Sequence, residues 1–393
     1  MYPSLQPFSS EASVLPFARR GRVATTGGRP DQAVRTAILL PPGCRFSASR
    51  PNSMETVVRT LAGATGTAHI RIFCDEGADD HGLSNVETLP VGPKRLSVLK
   101  ARLQAFRPEI VEHHQQVKQA VGIAAALPKV RHVLYRHNAL KAPQNWIDRL
   151  RYNARYSRMD GLIFVSEAEQ RAFAHVYPAL ADRAWAVPNP IDARLWAAAP
   201  EIREPVIAFA GRAMAAKGLS EICAALPQVL QAHPTWRAVL LLNDWEQHRA
   251  WAEPHVAPLS VFGDRVEVLH SAPLSEVRRR LRSAAIALTP SLWSEPFGLA
   301  AVEAHAAGAA LISSGRGGLR EASGPHAHYL VEVTPRTLVT AMDWLITHPL
   351  ERQAMARAAQ QRVMEAHSPG RRARDLLRAR RQILAGASSP VAF

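Results

Sequence analysis

Residues 293–303 read Trp293-Ser294-Glu295-Pro296-Phe297-Gly298-Leu299-Ala300-Ala301-Val302-Glu303. Proline is excluded from a helix interior, so Glu295 stays in the loop ahead of it. A helix can start near Phe297 or Gly298 and run to Gly308, a residue suited to a helix end. Leu299, Val302 and Ala306 mark its buried face at helical spacing. Glu303 lies one turn after Leu299, so its carboxylate sits beside the apolar stripe, where a charge needs a partner. Unpaired backbone N–H groups at Phe297, Gly298 and Leu299 point out of the helix start, next to a glycine that admits a ligand. Such an end attracts phosphate. The carboxylates on either side can accept hydrogen bonds from sugar hydroxyls. Sugar, phosphate and sugar in a row describe a nucleotide sugar.

Short apolar runs at 286–288 and 310–313 bracket this stretch, which makes a strand–loop–helix–strand unit. Further runs at 206–210, 239–242 and 266–269 precede it, with helical patterns starting near Lys217 and Ser275. The same alternation occupies the first half. Strands are expected at 37–40, 70–74, 110–111, 133–135 and 162–165, with a helix from about Asn52 that carries Met54, Val57, Val58 and Leu61 on one face. Alternation of this kind implies α/β architecture with parallel sheets. The pattern breaks at Pro188-Asn189-Pro190-Ile191-Asp192, and a polar, proline-containing stretch continues to Pro205. The expected fold is two doubly wound, Rossmann-like domains facing across a cleft, over 36–190 and 205–368. A last helix at 369–386 packs back on the first domain, and residues 1–35, rich in Pro, Ser, Gly and Arg, form a flexible extension. Ligands of such sheets sit outside the carboxyl ends of the strands.

Two more motifs fall at those ends. Gly211-Arg212 closes one strand and Lys217-Gly218 follows before a helix, placing a guanidinium and an ammonium together. Arginine forks onto two phosphate oxygens and lysine supplies a compact charge. Alone these are two solvated cations; with the glutamate stretch they become a diphosphate site. Arg136-His137-Asn138 ends a strand of the first half, with His113 and His114 ending the preceding one as lining of the cleft. The loop from Ser314 to Glu321 holds three glycines and either cradles ligand or simply joins strand to helix. No Walker loop or dinucleotide fingerprint is present, which sets aside a nucleoside triphosphatase or dehydrogenase.

The chain of 393 residues is 47% hydrophobic, so large cores are available, and its net charge of +15 favours an anionic partner. That charge is uneven. Residues 201–330 carry twelve charges of each sign, whereas 129–158 hold eight Lys or Arg against one Asp. Residues 94–107 hold Lys94, Arg95, Lys100, Arg102 and Arg107 with no acid, threaded by Leu96, Leu99, Leu103 and Phe106. A basic amphipathic helix can lie on an anionic membrane, although a core-facing helix with a solvated basic face is commoner. Cys44, Cys74 and Cys223 lack metal-ligand spacing and read as reduced and structural in a cytosolic protein. No apolar run approaches the roughly 20 residues of a spanning helix.

In order along the chain, Val165-Ser166-Glu167, Pro188-Asn189-Pro190-Ile191-Asp192, Gly211-Arg212 with Lys217-Gly218, and Ser294-Glu295-Pro296-Phe297-Gly298 with Glu303-Ala304 resemble the family 4 glycosyltransferases of the two-domain GT-B fold. The resemblance covers about residues 36–385 and looks closest to branches acting on bacterial lipopolysaccharide. It implies transfer from a nucleotide-sugar donor held by the second domain to an acceptor held by the first. Configuration at the anomeric carbon is retained, and neither cofactor nor metal is needed. It places Arg212 and Lys217 on the diphosphate, Glu295 on donor-sugar hydroxyls and Glu303 on the ribose diol. Amides at Phe297, Gly298 and Leu299 help hold sugar and phosphates, and His137 approaches the donor sugar. Three places depart from the family pattern: Arg50-Pro51-Asn52-Ser53-Met54 after the first strand, Pro190 where glycine is usual, and Asn243-Asp244-Trp245 in place of a glycine-rich loop. The partners expected are a nucleotide sugar, an anionic glycolipid or saccharide acceptor, and an anionic membrane contacted peripherally on its cytoplasmic face, with no nucleic acid. A nucleotide-sugar hydrolase or epimerase of the same fold is the alternative enzyme. A basic nucleic-acid-binding protein is the non-enzymatic one; it lacks a recognised motif and interleaved aromatics.

Overall fold

The computed structural model describes residues 33–48, 51–66, 68–78 and 80–389. Of the expected extension at 1–35, nearly all lies outside these residues, as does Arg50.

Seven strands build the first sheet: β1 (Thr36–Leu39), β2 (Ile70–Asp75), β3 (Val86–Leu89), β4 (Ile110–His114), β5 (Arg131–Arg136), β6 (Gly161–Phe164) and β7 (Ala184–Ala186). Helices α1 (Ser53–Thr65), α2 (Arg95–Phe106), α3 (Val117–Ala126), α4 (Trp146–Tyr156) and α5 (Glu167–Val176) lie between them. After the short α6 (Ala193–Trp196), the second sheet contains β8 (Glu204–Arg212), β9 (Arg237–Asn243), β10 (Val266–His270), β11 (Ala284–Thr289), β12 (Ala310–Ser313) and β13 (His328–Tyr329). Its helices are α7 (Leu219–Ala232), α8 (Trp245–Val256), α9 (Leu274–Ser283), α10 (Leu299–Ala306) and α11 (Leu319–Ser323). The chain finishes with α12 (Pro335–Thr347), α13 (Pro349–Ala366) and α14 (Pro369–Leu384).

Every pairing is parallel, in the orders β3-β2-β1-β4-β5-β6-β7 and β10-β9-β8-β11-β12-β13. Each order reverses once, between β1 and β4 and between β8 and β11. Crevices open at such points, outside the carboxyl ends of the strands. The expected strands all form. The ones the sequence did not show, β3, β7 and β13, are sheet edges of two to four residues. An edge strand has one neighbour and needs little apolar sequence, so its hydrophobic signal is weak.

Helices α2 to α5 share one face of the first sheet, where Leu99 and Leu103 meet Leu39 and Phe73, and Tyr156 and Phe173 meet Leu162 and Phe164. The other face takes α1 and α14. There Arg380 of α14 forks onto Glu112 of β4 at 2.7 and 2.8 Å, with side chains 3% and 1% exposed. Trp185 donates its indole N–H to Gln382. The stretch 190–204 is packed rather than an open linker. Asp192 caps α6, Trp196 is buried, and the N–H of Ile191 bonds to the carbonyl of His367.

Helix α2 corrects one expectation. Arg95 is buried, bonded at 2.5 Å to Asp75 and through Nη2 to the carbonyl of Leu40. Arg102 reaches Glu87 and the carbonyl of Thr88. Leu99 and Leu103 face the core. Two of the five cations therefore fasten the helix to its own domain, and the commoner case of a core-facing helix holds. After β1, where the family has its glycine turn, Asn52 and Glu55 form a capping box. Glu55 also accepts from the Cys44 thiol and the Phe46 N–H. The three cysteines are free and buried.

Candidate active site

The helix of the decisive stretch runs from Leu299 to Ala306, with Gly298 as its N-cap at φ 107°. A side chain there would be strained and would also meet Leu319. Glu295 stays in the loop, 5% exposed, and one carboxylate oxygen accepts from both Lys217 Nζ and Ser291 Oγ at 2.5 Å. The other oxygen makes no hydrogen bond among the described residues. The loop after β8 that carries Lys217 is fixed to this one by the bond from Leu292 N–H to the Ala216 carbonyl. Lys217 Nζ also stands 5.7 Å from the centre of the Trp293 ring. Lysine and serine thus converge on one oxygen of Glu295, three residues ahead of the α10 N-cap.

Arg212, at the carboxyl end of β8, is half exposed and bonds to Asp244 at 2.6 Å, with His248 at 3.5 Å. Asp244 belongs to the triplet that replaces the glycine-rich loop and has a left-handed backbone, φ 55°. Next to it, Trp245 and His270 stack with centroids 3.8 Å apart. An incoming anion has to compete with Asp244 for Arg212.

Glu303 is half-buried on α10, and desolvation pushes its carboxyl up to about 7 although Arg278 pulls the other way. No hydrogen bond to it is formed among the described residues. The Arg278 guanidinium lies 5.3 Å over Trp196 instead. In the unfolded chain the group ionises near 4.5. A raised folded value means the native state holds the extra proton, so the stability it contributes is full below 4.5 and lost as pH rises through about 7. The difference amounts to about 3 kcal/mol.

In the first sheet, His137 follows β5. Its Nε2 lies 2.8 Å from Nδ1 of His114, and its ring stacks on Tyr135 at 4.7 Å. With its amide turned so that oxygen and nitrogen exchange places, Gln115 accepts from the N–H groups of His137 and Asn138, 2.7 Å each. Burial, reinforced by His114 and Arg136, drives His137 well below the ordinary histidine range, so the imidazole is neutral. His113 does not line the cleft. It is buried with Nε2 3.1 Å from His132 Nδ1, because alternate residues of a strand face opposite sides of the sheet. His114 lies buried beneath His137.

The glycine loop does more than join strand to helix. Gly318 N–H donates to the Glu295 carbonyl at 2.7 Å, and a side chain at Gly318 would overlap Pro296 and Ser166. Glu321 reaches the first domain and accepts from the N–H groups of Glu167 and Ala168 at the α5 start, 2.8 and 2.6 Å. Sequence reasoning missed Ser291, Asp244 and Glu321 as partners. Asp244 and Glu321 meet partners 32 and 154 positions away, and Ser291, four residues before Glu295, is an ordinary loop serine. On the first domain, a cavity of about 450 Å³ opens beyond β1 and β2, lined by Arg45, Asp75, Val91, Arg95 and Leu96 among others. Arg95 Nη1 is buried there with no hydrogen-bond partner.

Two all-parallel, doubly wound sheets in one unit from Val34 onward, with Arg212, Lys217 and Glu295 at the second switch point, define the GT-B class. Residues 196–362 match the glycosyl transferases group 1 family and residues 54–195 match glycosyltransferase family 4. The chain belongs to the family 4 glycosyltransferases. It is 29% identical over 284 residues to a glycogen synthase of Mycobacterium tuberculosis, covering 66% of this chain and 65% of the relative. An alpha-maltose-1-phosphate synthase of Mycolicibacterium smegmatis is 26% identical over 298 residues, 66% of this chain and 75% of that one. The chain thus spans about 65% of the length of the first of these relatives. Among solved structures, HepE of Anabaena in complex with UDP superposes with a TM-score of 0.73 at 16% identity, over 88% of this chain and 100% of that one. At that identity the likeness is one of fold.

Proposed function

We propose that the chain transfers a sugar, with retention, from a nucleoside diphosphate sugar to an anionic glycolipid of the lipopolysaccharide class. One observation carries this: Lys217 and Ser291 converge on Glu295 in the loop that leads into α10, with Arg212 on the neighbouring strand end. Arg212, Lys217 and the amides at Phe297, Gly298 and Leu299 hold the diphosphate and stabilise the charge that grows on it as the glycosidic bond breaks. The unengaged Glu295 oxygen takes a donor-sugar hydroxyl, which makes Glu295 a positioning group. Glu303 takes the ribose diol, and neutral His137 faces the sugar from the first domain. UDP bound in the HepE structure supports a nucleotide donor. The basic first half supports an anionic acceptor, and so does the cavity beside Arg45 and Arg95. The protein then works peripherally on the cytoplasmic membrane face; among the described residues no helix is long and apolar enough to cross a membrane. A saccharide acceptor free in solution is the second reading, favoured by the glycogen synthase relative.

Transfer is assayed as acceptor-dependent release of nucleoside diphosphate, with the anomeric configuration of the product read by NMR. Activity is expected to persist in EDTA, because the two cations meet the diphosphate directly. Loss of activity in EDTA with recovery in magnesium or manganese would overturn this phosphate site, and an inverted product would overturn retention.

Glu303→Ala is expected to weaken donor binding about tenfold to a hundredfold, the worth of a charge-assisted hydrogen bond. Wild-type donor affinity should rise between pH 6 and 8 as Glu303 ionises and accepts from the diol. The variant should lose that slope, along with the wild type's decline in stability between pH 4.5 and about 7. Calorimetric titration across pH measures both; unchanged affinity in the folded variant would refute the ribose assignment.

A further inference from the structure

Helix α4 is apolar on the wrong side for a core helix. Its inner face packs through Tyr156, which is buried against Phe173 and Tyr177, and through Tyr152. Asn145 caps its start by accepting from the Asp148 N–H at 2.9 Å. The opposite face carries Trp146, Ile147 and Leu150, which are 71%, 57% and 59% exposed. At 100° per residue these three fall within one stripe about 100° wide. Elsewhere, exposed large side chains such as Ile202, Val261, Val331 and Leu350 are far apart in the chain. Three neighbours on one helix make a patch, and a patch marks an interaction surface.

Charge selects the partner. Arg149 flanks the stripe on one side and Arg151 on the other. Lys141 precedes the helix, Arg158 follows it, and all four are exposed. The single acid of the run from 129 to 158 is Asp148, and it is paired with Arg151. Lys141, Arg149 and Arg158 make no ion pair among the described residues. A rigid helix with tryptophan and aliphatics outward and cations beside them matches the boundary of an anionic bilayer. There an indole sits at headgroup level and cations meet lipid phosphates. Exposed Lys94 lies next to α2, in the same layer on this face of the sheet.

We propose that α4, rather than α2, seats the protein on an anionic membrane through Trp146, Ile147 and Leu150. This rests on the lipid-acceptor reading above. The loop joining His137, which on that reading faces the donor sugar, to α4 spans only residues 138–145, so docking would bring the acceptor side of the site to the bilayer.

The test is co-sedimentation of the full chain with phosphatidylcholine vesicles containing about one third phosphatidylglycerol, at low and high salt. It compares wild type, Trp146→Ser/Ile147→Ser/Leu150→Ser, Lys141→Glu/Arg149→Glu, and Lys94→Glu/Lys100→Glu. Wild type should pellet at low salt and release at high salt. The serine and α4 charge variants should each bind roughly tenfold more weakly or worse, and the α2 variant less affected than either. Unchanged melting temperatures and unchanged stabilisation by nucleotide sugars establish that the variants are folded. If wild type does not pellet, or the serine variant pellets equally, the proposal is overturned. It is overturned too if light scattering shows a wild-type dimer that the serine variant dissolves, because a second copy then covers the patch. The nucleotide-sugar response reports the donor site separately, so loss of the membrane proposal is distinguishable from loss of the transferase reading. A wild type that responds to donor but ignores vesicles leaves a soluble acceptor.

Discussion

Replacing Lys217 with alanine is expected to lower the transfer rate by about 10²- to 10³-fold, the typical cost of removing one donor aimed at developing charge. Lys217 does two jobs at once. Its ammonium neutralises buried Glu295 at 2.5 Å and, on the proposed reading, faces the leaving diphosphate. The alanine variant leaves Glu295 with Ser291 as its remaining partner, so stability should fall along with activity. A second variant separates the effects. In Lys217→Ala/Glu295→Gln no charge is stranded, so stability should return while transfer stays low. Steady-state kinetics beside thermal melts measures this. Recovery of full activity in the double variant would show that Lys217 serves only to hold Glu295.

The second large effect is on the fold. Arg380→Ala should cost about 3–5 kcal/mol, because it strands Glu112 in a site where both side chains are almost fully enclosed. Arg380→Met/Glu112→Leu should recover most of that loss, because two buried charges carry a desolvation cost that an apolar pair avoids. Urea denaturation is the measurement. A loss under 1 kcal/mol in the single variant would mean that α14 is only loosely held on the first domain.

Much of this was legible because local rules and tertiary structure agree. Pro296 kept Glu295 out of the helix, Gly298 marked its start, and Gly308, at φ 79°, followed its end. The strand ends at Arg212 and His137 were readable from short apolar runs. What stayed hidden depends on residues far apart. Glu112 and Arg380 are separated by 268 positions, and Glu321 reaches Glu167 across 154. Asp244 looked like a missing glycine loop rather than the partner of Arg212. The two amphipathic helices show a sharper limit. Leucines at helical spacing in α2 and a Trp-Ile-Leu cluster in α4 give similar patterns, yet Leu99 and Leu103 go inward while Trp146 and Leu150 go outward. Periodicity reveals that a helix has an apolar face; which way that face turns is decided by its neighbours, here the Tyr152 and Tyr156 side of α4.

The most direct measurement is a melting-temperature screen of the wild-type chain against UDP-, GDP- and ADP-sugars, repeated with Lys217→Ala/Glu295→Gln. A donor present at a hundred times its Kd stabilises the native state by about 2.7 kcal/mol. One nucleotide class should raise the wild-type midpoint clearly, and the shift should shrink or vanish in the double variant. A wild-type chain that melts at the same temperature with every nucleotide sugar would contradict the assignment of Arg212, Lys217 and the α10 start as a donor site.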